Sequence, residues 1–178
     1  MNKTLSTAAT ALLLATLAAC SSNNGSSSLN QRASDGKAGT SATPAAGKPL
    51  DASAAFMQIS GKVASAKLSG TVTAANDPNH LLGRPGQYTS KVTFTDSRIK
   101  ASDVEGTQPG DVERGGAVEV FGSPSDAQVR AKYIQAVTKS LPALTEYDYV
   151  NGTALVRVSH DLTPTQAAAY KTAADGLG

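Results

Sequence analysis

The residues able to do chemistry in this 178-residue chain are few and scattered. There is one cysteine, Cys20, and two histidines, His80 and His160, without the H-x₃-H or H-E-x-x-H spacing that sets imidazoles around a metal. No G-x-S-x-G elbow and no S-x-x-K motif accompanies the many serines, and His160 has no assignable nucleophile. Asp96, Asp103, Glu105, Asp111 and Glu113 lack the alternating order of a calcium loop and are interleaved with Arg98, Lys100 and Arg114, so they read as a solvated excursion. The separation that glycoside-cleaving carboxylates need is spatial, so sequence leaves Asp103/Glu105 and Glu146/Asp148 open as such pairs, although strand-face and loop charges explain them more simply. The densest polar constellation is one loop holding Asp77, Asn79, His80, Arg84 and Tyr88. Arg84 can fork onto a carboxylate or phosphate and Tyr88 offers a flat face, so Asp77, His80, Arg84 and Tyr88 are the candidate ligand-binding residues. No metal, cofactor or catalytic residue is expected.

These residues need a scaffold. Asp51 caps a helix to about Ser60 that turns Phe56, Ile59 and Val63 to one side, followed by a strand over Leu68–Ala74. Asp77-Pro78 with Gly83 describes a single capped helical turn, and Arg84–Gln87 a tight turn. Tyr88–Thr95 and Ala117–Phe121 read as strands, the second central, flanking a polar, glycine-rich excursion. Ser123-Pro124 and Thr163-Pro164 open two helices with an acidic or amide residue at the third helical position. The first runs to about Ser140 with Ala127, Ala131, Ile134, Val137 and Leu141 inward; the second reaches about Ala174. Between them, Asn151-Gly152 joins Tyr147–Val150 to Thr153–Val158 as a hairpin. The reading is an α+β domain, a small antiparallel sheet with its helices on one face. Tyr88–Lys139 and Glu146–Ala174 repeat one order, as a duplicated β-β-α unit would. Glu119 and Arg157 are expected outward on neighbouring strands, as an exposed cross-strand ion pair of under about 1 kcal/mol.

The first fifty residues are of another kind. Lys3 and the apolar stretch Ala8–Ala19 form a signal peptide, too short for a membrane span of about 20 apolar residues. It closes on Leu17-Ala18-Ala19-Cys20, which resembles the bacterial lipobox at all four positions. That resemblance implies cleavage before Cys20 and lipidation of it, leaving no free thiol; two or more acyl chains anchor stably. In residues 21–50, 18 of 30 are Ser, Gly, Asn, Thr or Pro, too polar to order themselves and long enough for a tether averaging about 30 Å. The segments are thus 1–19 signal peptide, 20–50 lipidated cysteine and tether, and 51–178 one globular domain.

The domain carries 12 basic and 13 acidic residues, a balance that argues against nucleic acid, which needs a concentrated basic face. The stretch Asp77–Lys91, with Asp111–Phe121 and Ala154–Val158, resembles segments of uncharacterised predicted lipoproteins of actinobacteria. The resemblance implies a membrane-anchored, extracytoplasmic cell-envelope protein and supplies no activity. The expectation is a non-enzymatic binding or interaction module for another envelope protein or small ligand. A wall-polymer hydrolase using unpatterned carboxylates is the alternative. A transporter's substrate-binding protein fits less well, since about 128 residues are few for two lobes.

Overall fold

The computed structural model describes residues 50–178. The expected signal peptide, Cys20 and nearly all of the expected tether lie outside the described residues. Five strands form one fully antiparallel sheet in the order β1-β2-β3-β5-β4: β1 (Ala66–Thr71), β2 (Tyr88–Asp96), β3 (Gly115–Phe121), β4 (Glu146–Asn151) and β5 (Ala154–Ser159). The helices are α1 (Ala52–Lys62), α2 (Pro124–Ser140) and α3 (Pro164–Asp175). None of the described helices is long and apolar enough to cross a membrane. The domain is therefore α+β around an antiparallel sheet, as its pattern of elements implies.

The helices divide between the two faces, where the sequence reading put them on one. Strand side chains alternate, so Val118 and Val120 of β3 and Ala154, Val156 and Val158 of β5 share a face, covered by α1 and α3 through Phe56, Ile59, Ala167 and Tyr170. Glu119, Phe121 and Leu155 point the other way, where α2 packs with Ala127, Ala131 and Ile134. β3 is consequently buried along its whole length. The order β-β-α does occur twice, but a two-fold relating neighbouring antiparallel strands would leave both helices on one face. With α2 and α3 on opposite faces, the two units are not symmetric copies.

Local signals explain the element ends. Asp51 accepts the Ala54 N–H, Ser123 the Asp126 N–H, and Thr163/Gln166 form a reciprocal capping box. The β4–β5 turn is centred on Gly152-Thr153 rather than Asn151-Gly152. Asn151 pairs with Ala154 and spends its amide on the Ala174 and Leu177 carbonyls beyond α3. On the α1/α3 face Phe94 stacks between Phe56 (5.5 Å) and Tyr170 (5.3 Å), over the space left by Gly116. Buried Asp96 ties this face together, accepting from Tyr170 Oη (2.6 Å), Ser65 and the Arg98 guanidinium.

Candidate functional site

A carboxylate on a central strand with both faces covered has to be paired, because burying an unpaired charge costs several kcal/mol. Glu119 has no solvent exposure and is met by three cations from three elements. Lys91, its register partner on β2, places Nζ 3.0 Å from Oε1; Arg157 of β5 places Nη1 3.2 Å from the same oxygen; Arg130 of α2 places Nε 3.2 Å from Oε2. Burial pushes the Glu119 carboxyl up, but the Lys91, Arg157 and Arg130 charges outweigh it and hold the group below its ordinary range. The expected Glu119–Arg157 pair thus forms, but buried under α2 rather than exposed, because α2 roofs the face taken to be outward.

Arg157 reaches further, forking Nε and Nη2 onto the two oxygens of Glu146 at 2.7 and 2.8 Å. Desolvation lowers its pKa, yet Glu146 and Glu119 leave its guanidinium more firmly protonated than usual. Asp148, its register partner on β4, receives none of its donors: both Asp148 oxygens are buried without a hydrogen-bond partner among the described residues. Desolvation first, then the adjoining Glu146, push the Asp148 carboxyl up to about 8, so it is largely protonated at neutral pH.

Beside this network lies a depression of about 380 Å³. It is lined by Lys91, Arg157 and Glu146 from the sheet, Arg130, Tyr133 and Val137 from α2, Leu144 from beyond that helix, and Gly110–Glu113 from the excursion between β2 and β3. A second depression of about 390 Å³ shares Pro78, Lys91, Gly110 and Asp111 and extends toward β1. On the far side of Tyr133 a smaller one, about 190 Å³, is lined by Leu81, Gly86, Gln87 and Val129. Arg130 and Tyr133, stacked with the guanidinium 5.7 Å from the ring centre, line both this depression and the first.

Outward, α2 carries an apolar row. Val129, Tyr133 and Val137 recur every four residues and are 63%, 61% and 37% exposed, with exposed Leu141 and Leu144 continuing beyond the helix. Val137 and Leu141 were expected inward. The buried row instead follows Ala127, Ala131 and Ile134, and past Ile134 its next position falls on half-buried Thr138.

The Asp77 loop is arranged differently from the expected ligand site. No helical turn forms, and His80 takes a left-handed backbone (φ 52°). Asp77 is buried and accepts the N–H groups of Asn79, Leu81 and Leu82 together with the Tyr88 hydroxyl at 2.7–2.8 Å. Burial works against its ionisation, but these donors, Tyr88 first, bring its pKa down to about 2. Tyr88 is pushed well above its ordinary value by burial and by Asp77. The structure therefore joins Asp77 and Tyr88 as an internal brace, while His80 and Arg84 point into solvent without side-chain hydrogen bonds. His160 is exposed on the turn after β5, and no group of three or more His, Cys, Asp or Glu that could hold a metal occurs among the described residues.

The network under α2 was only partly visible beforehand. Glu119 is expected outward and exposed, yet its place within Ala117-Val118-Glu119-Val120-Phe121, a run read as a central strand, is a signal that could have marked it as a buried carboxylate needing cations. Arg130, three residues after Ala127 and four before Ile134, lies on the inward row of α2 and could have been found by helical spacing. Lys91 and Asp148 gave no such signal, since their surroundings depend on the strand order. No family model matches the chain, and neither does any curated protein or solved structure.

Proposed function

We propose that this chain is a membrane-anchored cell-envelope lipoprotein facing the extracytoplasmic side, its domain a binding and interaction module tethered through Cys20. The lipobox, the signal peptide and the resemblance to actinobacterial lipoproteins support the anchor. One observation carries the module: the row Val129, Tyr133 and Val137, extended by Leu141 and Leu144, exposed on a helix whose other side packs through Ala127, Ala131 and Ile134. Contiguous exposed apolar surface of this kind marks protein contact sites. Exposed Lys132 and Lys139 flank the row, so the occupant is another envelope protein presenting an apolar segment bordered by acidic residues.

The hydrolase alternative has one feature in its favour, a carboxyl on Asp148 kept un-ionised by burial next to Glu146, as a general acid would need. Access tells against it: the Asp148 oxygens are shielded and both Glu146 oxygens are held by Arg157. In-cell cross-linking of the tagged lipoprotein, in parent, Cys20→Ala and Val129→Ser/Tyr133→Ser forms, tests the proposal. The expected result is one dominant adduct that falls at least about fivefold in both variants while the melting midpoint of the serine variant stays within about 5 °C, as surface changes allow. An adduct insensitive to the serine substitutions would overturn the docking row; one insensitive to Cys20→Ala would overturn the anchored mode.

A further inference from the structure

We infer that the depression beneath α2 is a binding site for a single carboxylate group, borne by a small molecule or chain end and held by Arg130 and Lys91. The inference rests on charge balance and spare donors, and not on the docking row. Lys91, Arg130 and Arg157 bring three positive charges together, all at least 86% buried, against two negative charges on Glu119 and Glu146. Asp148 adds none while it is un-ionised, and buried oxygens that meet no donor favour that form. Within this buried cluster one positive charge is in excess, beside a cavity of about 380 Å³ that Asp111 and Glu113 also line, near the lower end of the size range of small-molecule pockets.

The spare donors lie on two residues. Arg157 has committed Nε, Nη1 and Nη2 to Glu146 and Glu119. Arg130 gives Glu119 only its Nε, leaving both Nη groups for a fork onto a ligand carboxylate. Lys91 makes one contact with Glu119, lies 5.2 Å from the Tyr88 ring centre and lines both larger depressions. Across the cavity stand Asp111, whose carboxylate accepts the Gln108 N–H, and Glu113. These repel a second negative charge, so a monoanion is favoured over a phosphate dianion, and the rest of the ligand is expected to offer N–H, O–H or cationic groups to that wall.

The test is a titration of the full chain with acetate, with chloride replacing it at constant ionic strength, followed by NMR of the Arg130 Nε–Hε signal and the β3 amides. A saturable acetate shift is expected. It weakens at least about tenfold in Arg130→Gln, as expected for a lost hydrogen bond to a charged group, and tightens in Glu113→Gln, a rim change that keeps the network intact. Inorganic phosphate at pH 7.5 should bind more weakly than acetate. Shifts that grow linearly, match those from chloride or ignore both substitutions would overturn the site. Phosphate binding as tight as acetate would overturn the single-carboxylate assignment.

Discussion

Replacing Glu119 by Gln keeps the shape of the side chain and removes the one charge that Lys91, Arg130 and Arg157 share. At 3.0–3.2 Å and an effective dielectric of about 20, each contact represents about 5 kcal/mol of gross attraction, most of which offsets desolvation of the ions. What the variant loses is the compensation of cations that stay buried, and breaking such a network from one side costs about 3–5 kcal/mol. With a urea m-value of about 1.5 kcal/mol per M, the midpoint followed by circular dichroism should fall by about 2–3 M. Adding Lys91→Met to Glu119→Gln removes one stranded charge and should recover at least about 1 kcal/mol, a non-additivity that separates charge from packing. Because the Glu119 carboxyl is held below its ordinary 4.5, its contribution is present above that pH and lost as pH falls through the depressed folded-state value. The Glu119→Gln deficit should therefore shrink in acid. A loss below about 1 kcal/mol at pH 7, or strictly additive effects of the two substitutions, would refute the three-cation account.

Two further predictions concern the same sheet. Asp148, raised from 3.8 to about 8, binds a proton in the folded state that the unfolded chain has released, so its contribution to stability falls between about pH 4 and 8, by up to about 1.4 kcal/mol per pH unit. Asp148→Asn should remove that slope and be increasingly more stable than the parent as pH rises, measured by urea unfolding at pH 4.5, 6 and 7.5; a pH-independent difference would refute it. On the other face, a methyl group at Gly116 would clash with the Arg157 carbonyl and the Phe94 ring, both fixed by neighbours. Gly116→Ala should cost about 2 kcal/mol or more by calorimetry, whereas Gly122→Ala, with open space around it, should change stability by under about 1 kcal/mol.

Local signals settled what depends on neighbours along the chain. Hydroxyl-proline starts placed α2 and α3, alternation and β-branching placed β2 and β3, and a short apolar leader ending at Cys20 carried the expectation of a lipid anchor. Asp77, expected to cap a helical turn, instead accepts the N–H groups of an irregular loop, with Tyr88 eleven residues away completing its shell. Tertiary structure alone decided which helix covers which face. Period-2 alternation fixes which side chains share a face and leaves open what lies above each one. Once α2 roofed the face bearing Glu119, Lys91 and Arg157, residues that would be solvated on an open sheet became a desolvated network. Val137 and Leu141, apolar enough for a core, were left outside because the buried row of α2 ends near Ile134. The strand order β3-β5-β4 set Asp148 beside Arg157 while Glu146 and Glu119 took its donors, a competition among four residues that no local pattern encodes.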